Sequence, residues 1–460
     1  MKIFVSNIYS TLKTPEKDVL KALGKKYTAK TPGYQFTPAY RRGGWDGNKE
    51  FFSSRTGKFG TGLLSSVVQD LDFIDREYEI VDNRTPITFA SYKIPSITLR
   101  EYQKSLVEEA LCEKGCIIKA PTGSGKTIVI ASILKALEGK TGLLIFNKKQ
   151  LLYQTSQFLT EHGIEHGVAF GDGVDIKPIT LCTIQSIDKV LDTHLEESEF
   201  LMFDEIHEFA KGKLATSVLK SFKNAPIRIG LSATPPSEKF SKLSLGSFLG
   251  REIEYVTAED LINTGYLTPP SIRMIELPDI AETETLGLSY FEVYDKFIVN
   301  NDHRNQLIAE ITETIKKKPC KILILTKNLK HAEILRELIP ESYKLEGKDS
   351  LAERELTLKK FINDAEASVM IGTIIFQTGV DIPELTHLIN ARGLKSEIAT
   401  IQALGRTLRK HESKHKVFIY DFIDKVPYLS SHSHSRLLAY KSLNFNIETH
   451  GNTEQKRKQD

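Results

Sequence analysis

The stretch Cys116-Ile-Ile-Lys-Ala-Pro-Thr-Gly-Ser-Gly-Lys-Thr-Ile-Val-Ile-Ala-Ser-Ile-Leu-Lys-Ala-Leu137 decides the fold of this chain. It opens with a short apolar run typical of a buried strand and closes with a helical segment, Ile128–Leu137. Between them, Gly123 and Gly125 let backbone N–H groups turn toward phosphate oxygens at the positive end of the helix dipole. This order predicts a phosphate-binding loop, although Ala120 stands where the strict pattern has glycine.

The loop predicts how a nucleoside triphosphate is held. Lys126 is expected to reach the β- and γ-phosphates, and the Thr127 hydroxyl to ligate Mg²⁺. ATP and Mg²⁺ are therefore the expected cofactors. The residues assigned to nucleotide binding in this loop are Pro121, Thr122, Gly123, Ser124, Gly125, Lys126 and Thr127.

Two adjacent carboxylates follow a second apolar strand, Phe200–Phe203. Asp204 at the strand end is expected to hold Mg²⁺, and Glu205 to orient and deprotonate the attacking water. An acidic pair after a strand also serves as a helix N-cap. The phosphate loop upstream favours the catalytic interpretation.

Apolar strands alternate with amphipathic helices in two successive regions of the chain. Uninterrupted apolar strands between helices indicate parallel sheets covered on both faces, so the fold class is α/β. The predicted strands are Cys116–Ala120, Gly142–Phe146, Ile179–Thr183, Phe200–Phe203, Ile227–Leu231, Ile322–Leu325, Val369–Gly372, Leu385–Asn390 and Val417–Tyr420.

The N-terminal region differs in charge and composition. Residues 1–60 carry twelve lysines and arginines against four acidic residues, in a chain whose net charge is +3. This excess fits a docking surface for a polyanion or a merely solvated surface, and charge alone leaves both open. The segment Tyr40–Phe52 predicts a tight, glycine-rich turn flanked by short strands. The candidate contacts are Arg41, Arg42, Trp45, Lys49, Arg55 and Lys58.

The chain is expected to divide into four parts. These are a small basic α/β module at 1–95, two parallel-sheet domains at 96–262 and 263–430, and a frayed basic tail at 431–460. Proline-containing stretches at Asn83–Pro86 and Ile94–Pro95 predict the linker after the module. Trp45 fits either stacking on an exposed base or anchoring the small core of this module.

Composition excludes several classes of protein. No apolar run approaches the ~18–20 residues that cross a bilayer, and the N-terminus lacks the features of a signal peptide. We therefore expect a cytoplasmic protein without membrane partners. The four cysteines, at positions 112, 116, 182 and 320, do not have metal-ligand spacing and are expected to remain reduced.

Further motifs extend the pattern beyond the phosphate loop. Asp204-Glu-Ile-His207 is followed by Ser232-Ala-Thr234, and Leu99-Arg-Glu-Tyr-Gln103 precedes both. The second domain contains Gln377-Thr-Gly-Val-Asp-Ile-Pro383 and Gln402-Ala-Leu-Gly-Arg-Thr-Leu-Arg409. In this order the motifs resemble those of superfamily 2 helicases of the DExH type, over about residues 96–425. The resemblance implies two tandem RecA-like domains.

The same resemblance assigns roles to individual residues. Gln103, helped by Arg100, would read the adenine base, and His207 completes the DExH box. In the second domain, Gly379 and Asp381 would contribute to the nucleotide site, and Gln402, Arg406 and Arg409 would approach the γ-phosphate when the domains close. The nucleic-acid contacts that it implies are Asn147, Lys148, Thr183, Gln185, Thr326, Lys327 and Thr373.

The details resemble the group that contains phage UvsW-type and XPB-type DNA translocases. The signs are the position of Leu99–Gln103, the segment Gly265–Pro269 between the domains, and the Gly44–Gly47 turn of the basic module. The resemblance implies a monomeric ATP-dependent DNA helicase or translocase that unwinds or branch-migrates forked and Holliday-type DNA, in the host cytoplasm if phage-encoded. An RNA helicase of the same superfamily and an ATP-gated DNA-binding switch without strand separation remain alternatives.

Overall fold

A computed structural model of the chain describes residues 1–171, 173–210, 213–345, 349, 351–373, 382–395, 405, 407–412 and 414–450. The chain forms two compact units. The first comprises residues 1–121 and 125–256, and the second comprises residues 122–124 and 257–460.

The N-terminal part of the first unit is a small α/β module. Its strands are β1 (Lys2–Val5), β2 (Tyr9–Lys13), β3 (Thr28–Lys30), β4 (Asn48–Glu50), β5 (Lys58–Gly60) and β6 (Glu79–Asp82). Its helices are α1 (Lys17–Lys26), α2 (Pro38–Arg41) and α3 (Leu64–Phe73), with 3-10 turns at Tyr34–Phe36 and Thr61–Leu63. One sheet has the order β5-β2-β1-β6, and β3 pairs with β4. Alternation along β1 buries Ile3 and Val5 in one core with Val19 and Leu23 of α1.

Residues 83–100 contain no helix or strand, as the proline-containing stretches predict. This segment is nevertheless anchored, because Ile94 is buried in the core of the domain that follows. Ile87, Phe89, Tyr92 and Ile97 pack against the same core from its surface. The linker therefore packs along the surface of that domain.

The rest of the first unit is one α/β domain with an eight-stranded sheet. Its elements are α4 (Glu101–Glu113), β7 (Gly115–Lys119), α5 (Lys126–Ala136), β8 (Gly142–Phe146), α6 (Lys149–Glu161), β9 (Gly167–Phe170), β10 (Gly173–Asp175), β11 (Ile179–Thr183), α7 (Leu191–His194), β12 (Phe200–Asp204), α8 (Lys213–Ser221), β13 (Ile227–Ser232), α9 (Lys239–Leu249) and β14 (Arg251–Ile253). Short 3-10 helices occupy Ile184–Lys189 and Ile206–Phe209. The strand order is β10-β9-β11-β8-β12-β13-β7-β14, and every pair except β9–β10 is parallel.

The second unit is a second α/β domain with a seven-stranded parallel sheet. Its elements are α10 (Ala258–Asn263), β15 (Pro270–Glu276), α11 (Tyr290–Tyr294), α12 (Asp302–Ile315), β16 (Lys321–Leu325), α13 (Leu329–Leu338), β17 (Tyr343–Leu345), α14 (Leu351–Asn363), β18 (Ser368–Gly372), β19 (His387–Asn390), β20 (Val417–Ile423), α15 (Leu429–Ser442) and β21 (Asn446–His450). A 3-10 turn lies at Glu282–Glu284, and a π-helix at Asp295–Val299 continues α11. The order is β17-β18-β16-β19-β20-β15-β21.

The predicted fold class is confirmed, and each of the nine predicted strands corresponds to an observed strand. The sequence pattern missed β9, β10, β14, β15, β17 and β21. β10 is exposed along its length, and β15 begins at the second of two prolines, so neither shows the apolar run of a buried strand. Their places are set by neighbouring strands.

The turn predicted at Tyr40–Phe52 is partly wrong. Gly43 and Gly47 have φ of 71° and 81°, as the prediction requires. The preceding segment, however, is helix α2 and not a strand, because the Thr37 hydroxyl caps the Tyr40 N–H and Pro38 occupies the first turn. β4 instead pairs with the distant β3.

The prediction of a frayed tail from residue 431 is also wrong for residues 431–450. α15 packs through Arg436, which is fully buried and whose guanidinium Nε lies 3.0 Å from Asp421 Oδ2 on β20. β21 extends the sheet by pairing in parallel with β15. The sequence pattern does not predict this packing, because the segment is polar and its main contact with the sheet is the Arg436–Asp421 ion pair.

None of the described helices is long and apolar enough to span a bilayer. Of the four cysteines, three are buried and Cys112 is exposed, and all are free thiols. Burial raises the pKa of the Cys182 thiol to about 12. Within the described residues, no three His, Cys, Asp or Glu side chains cluster as a metal site would require.

Candidate functional site

The first domain brings three of the predicted motifs to one edge of its sheet. β7, β13 and β12 are adjacent and parallel. Their carboxyl ends therefore lie side by side, and the segments that follow them meet there. These segments are the loop before α5, Ser232–Thr234, and Asp204–His207.

The predicted phosphate loop has the required backbone. Gly123 and Gly125 have φ of 88° and 83°, and α5 begins directly after them at Lys126. A side chain at Gly125 would press against the amide of Gln103, so glycine is needed for packing as well as for conformation. Thr127 lies in the first helical turn.

Lys126 and Glu205, which are 79 residues apart, form an ion pair at this edge. The Lys126 Nζ donates to Glu205 Oε1 at 2.6 Å. Glu205 has φ 52° and ψ 51°, a left-handed conformation that is uncommon for a residue with a side chain. This backbone turn aims its carboxylate at the lysine of the phosphate loop.

The Asp204 carboxylate is buried and lies beside the charged Glu205. Burial, followed by the neighbouring Glu205 charge, raises the pKa of Asp204 to about 7. The Glu205 backbone N–H donates to Asp204 Oδ1 at 3.0 Å and fixes that side chain. A buried carboxylate whose pKa is raised in this way is one that a cation would stabilise.

His207 connects this cluster to the third motif. Its Nδ1 is 2.8 Å from the Ser232 hydroxyl and 3.3 Å from Glu205 Oε2. The Ser232 oxygen also accepts the backbone N–H of Thr234 at 3.0 Å. Burial lowers the pKa of His207, which favours the neutral imidazole. A continuous path of contacts therefore joins Glu205 to Ser232–Thr234.

Gln103 lies beside the phosphate loop, where the resemblance requires an adenine-reading residue. The side chain is buried, and its Oε1 accepts the backbone N–H of Arg100 at 2.9 Å within a capping box at the start of α4. The Arg100 guanidinium donates to the Tyr102 hydroxyl at 2.8 Å. Base recognition by this pair stays a prediction.

Two of the predicted nucleic-acid contacts in the first domain bind Glu208, and a third is linked to it through Asn147. The Asn147 amide donates to Glu208 Oε2 at 2.8 Å, and the Lys148 ammonium pairs with Oε1. Gln185 in turn donates to Asn147 Oδ1 at 3.3 Å. Glu208 was not singled out from the sequence, and its position three residues after Glu205 was the only signal.

Three predicted threonine contacts are buried rather than presented at the surface. The Thr183 hydroxyl donates to Ser186 Oγ at 3.1 Å, and the Thr326 hydroxyl to the Asn328 carbonyl at 3.3 Å. Thr373, after β18, is buried as well. Lys327 differs from them, since its side chain is exposed at the end of β16.

The predicted second-domain nucleotide contacts are described only in part. Arg409 is half-buried and pairs as an isolated bridge with Leu267, beside which the Thr268 N–H donates to the Leu408 carbonyl at 2.7 Å. The remaining predicted positions lie outside the described residues. They are Gly379, Asp381, Gln402 and Arg406.

All five basic residues predicted as contacts in the N-terminal module are exposed, and two of them lie over aromatic rings. Arg42, Arg55 and Arg41 are exposed. Lys49 and Lys58 are also exposed, with their ammonium groups over Phe51 (4.8 Å) and Tyr9 (4.1 Å) respectively. Trp45 is half-buried, and its indole N–H donates to the Asn48 carbonyl at 2.7 Å, which supports the anchoring interpretation.

Two family models match the chain, one on each parallel sheet. The model described as "Type III restriction enzyme, res subunit" matches residues 96–237, and "Helicase conserved C-terminal domain" matches residues 303–411. The first match contains the phosphate loop, the Asp204–His207 box and Ser232–Thr234. The chain is a superfamily 2 helicase of the DExH type. Membership implies that it uses ATP.

The helicase has relatives of both expected kinds. It is 25% identical to the ATP-dependent DNA helicase uvsW of Enterobacteria phage T4 over 442 residues, which cover 89% of this chain and 88% of that protein. It is 26% identical to the DNA 3'-5' translocase XPB2 of Sulfurisphaera tokodaii, over 74% of this chain and 85% of the relative. The UvsW-like and XPB-like resemblance is thereby confirmed.

A solved structure supports the fold of the helicase. A fragment of a putative HsdR subunit of a type I restriction enzyme from Vibrio vulnificus superposes with a TM-score of 0.60 at 18% identity. The match covers 79% of this chain and 69% of that one. At this identity the likeness concerns the fold.

Proposed function

We propose that this helicase is an ATP-dependent DNA helicase or translocase that unwinds or branch-migrates forked and Holliday-type DNA. The observation that carries the ATPase assignment is the joint arrangement of Lys126, Glu205 and Ser232 at adjacent strand ends. The DNA assignment draws on the names of the UvsW and XPB2 relatives, which are DNA enzymes. These names favour DNA over the alternative of an RNA substrate.

The residues of the site fit a magnesium-bound triphosphate. Asp204 is a buried carboxylate whose pKa is raised, and the loop of positive-φ glycines leaves room for phosphate where side chains would intrude. Thr127 and Asp204 are the proposed Mg²⁺ ligands. Bound Mg²⁺ neutralises charge on the β- and γ-phosphates during transfer.

Lys126 and Glu205 have linked roles in this proposal. Before nucleotide binds, the 2.6 Å ion pair neutralises both groups. Phosphate oxygens compete for the Lys126 ammonium, and as the lysine turns to them the Glu205 carboxylate becomes a stronger base for the attacking water. In this proposal, nucleotide binding therefore activates Glu205 as the catalytic base.

Arg406 and Arg409 of the second domain are proposed to complete the reaction, with Gln402, Gly379 and Asp381 as further contacts. An arginine delivered to the transferring phosphoryl group is worth ~10³–10⁵ in rate. Hydrolysis would then be fast only in one arrangement of the domains. Such dependence converts ATP turnover into directed movement.

Nucleic-acid binding can be sensed at the nucleotide site through Glu208. Asn147, Lys148 and Gln185 are tied to it directly or through one another, and it lies one helical turn beyond Glu205. Phosphate contacts that draw Lys148 away would change the charge beside Glu205. We propose this as the route by which DNA stimulates hydrolysis.

The exposed basic residues of the N-terminal module are proposed to grip duplex arms through phosphates. They are Arg41, Arg42, Lys49, Arg55 and Lys58. We also retain as proposals the boundary at residue 95 and a monomeric motor.

A matched substrate panel tests the proposed function. ATP hydrolysis and strand displacement are measured on single strand, blunt duplex, fork, four-way junction and RNA duplex of equal length. We expect the fork and junction to stimulate and to be remodelled, and the double variant Arg41→Ala/Arg42→Ala to lose junction affinity more than single-strand affinity. Stimulation by RNA alone would favour the RNA helicase, and ATP hydrolysis without displacement would favour the switch.

A further inference from the structure

A patch of five aromatic side chains lies on the second domain, outside the predicted motifs. Tyr290 is at its centre, with ring centroids 6.1 Å from Tyr294, 6.1 Å from Tyr428 and 5.6 Å from both Phe291 and His432. Tyr290, Phe291 and Tyr294 belong to α11, Tyr428 directly precedes α15, and His432 belongs to α15. We call these five residues, Tyr290, Phe291, Tyr294, Tyr428 and His432, the aromatic patch.

The aromatic patch has a buried base and an exposed face. Tyr294 is only 4% exposed, and its hydroxyl donates to the Arg392 carbonyl at 2.7 Å. Phe291 and Tyr428 are 76% and 51% exposed. Single exposed apolar residues are ordinary, but two large rings presented together on an anchored aromatic base are a feature that binding sites share.

Tyr428 is held in this patch by a strained backbone. Its φ is 65° and ψ is −49°, and the Leu429 N–H donates across it to the Pro427 carbonyl at 2.8 Å. This is the positive-φ form of the γ-turn, which is rare and strained for a residue with a side chain. Glycine would adopt this positive-φ conformation with less strain. The tyrosine side chain at this position therefore comes at a conformational cost.

A lysine lies over the rings of the patch. The Lys327 ammonium is 4.2 Å from the Tyr294 centroid and 5.5 Å from the Tyr290 centroid. It is exposed, and the described part of the chain supplies it with no ion-pair partner. The acidic residues of the same segment are engaged elsewhere, Asp295 with Lys330 at 3.3 Å and Glu292 with the Ser289 cap.

We propose that the aromatic patch and Lys327 bind one unpaired DNA strand, with bases stacked on Phe291 and Tyr428 and a phosphate against Lys327. The proposal rests on the proposed function, which supplies that strand. Bases offer their faces to aromatic side chains only when they are unstacked, and such stacking tolerates any sequence. The patch therefore fits a separated strand and not an intact duplex arm.

The test uses the full chain and binding to labelled oligo-dT and to a hairpin duplex. Phe291→Ala and Tyr428→Gly are compared with the control Phe73→Ala, which removes a ring that is 89% exposed in the N-terminal module. We expect each patch variant to weaken oligo-dT binding by about fivefold or more, with hairpin affinity unchanged. Tyr428→Phe, which keeps the ring, should bind as the wild type does.

Thermal unfolding separates binding from folding in the same variants. Tyr428→Gly removes the backbone strain together with the ring, so its unfolding temperature should not fall below that of the wild type. Oligo-dT affinities equal to the Phe73→Ala control, or equal losses on the hairpin, would overturn the patch. Absence of DNA-stimulated ATP hydrolysis in the wild type would instead overturn the proposed function.

Discussion

For Lys126 and Glu205, the sequence predicts the role of each residue but not the contact between them. Both were assigned from the sequence, because a phosphate loop and a DExH box each carry recognisable chemistry. Their 2.6 Å ion pair was not predicted. It depends on β7, β13 and β12 being neighbours, on the left-handed turn at Glu205, and hence on long-range strand order.

The buried His331 and the half-buried His387 give the second domain a pH-dependent stability. Burial, followed by the Arg304 charge, lowers the pKa of His331 to about 3, and its Nε2 is 2.9 Å from Asn305 Oδ1. Burial likewise lowers the pKa of His387 to about 4. In the unfolded chain both imidazoles have the ordinary histidine pKa of ~6.5. The native state therefore resists protons that the unfolded state accepts.

We predict that the free energy of unfolding is steady above about pH 6.5 and falls as the pH drops from there toward 4. Each of these two histidines adds a slope of at most about 1.4 kcal/mol per pH unit. Denaturant unfolding across this range should show a shallower slope in His331→Asn, whatever its absolute stability. The exposed His303→Asn should keep the wild-type slope, and an unchanged slope in His331→Asn would refute the assignment.

Among the elements, α9 is the surface on which the N-terminal module is docked. A Cβ at Gly60 would overlap the Ser247 carbonyl, and one at Gly62 would overlap the Gly246 carbonyl. Phe51 also meets Phe240 edge-on at 5.6 Å. The backbones approach so closely that glycine is required, although neither residue has a positive φ.

Gly62→Ala should therefore loosen the module, by about 1–3 kcal/mol if the overlap resembles an overpacked core. Limited proteolysis within residues 83–100 would report the loosening as faster cleavage. Gly246→Ala is the matched control, since its Cβ would meet nothing within 4 Å and it lies within helix α9. Equal cleavage rates for the two variants would show that the close approach does not hold the module.

The elements that sequence reasoning missed share a physical cause. β15 and β21 are polar or proline-led, and their strand character comes from pairing with each other and with β20. The polar sequence of α15 resembles a tail because the burial of this helix depends on Arg436, whose charge is matched by Asp421 only in the folded chain. The apolar central strands, by contrast, carry their burial in their own composition.

In the molecule as a whole, two largely parallel sheets follow one another along the chain, and one family model matches part of each. This order was predictable from apolar strands and motif sequence. The role of the second sheet in hydrolysis stays a prediction, because Gln402 and Arg406 lie outside the described residues. We expect DNA binding and the Lys126–Glu205 site to act together in ATP hydrolysis.

The most direct measurement is steady-state ATP hydrolysis with and without a four-way DNA junction. We predict that the junction raises the wild-type rate, that Lys126→Ala abolishes turnover, and that Glu205→Gln lowers it by ~10²–10⁴-fold while nucleotide and junction still bind. The exposed control Lys93→Ala should behave as the wild type does. Near-normal turnover in either site variant, or a wild-type rate indifferent to DNA, would contradict the account.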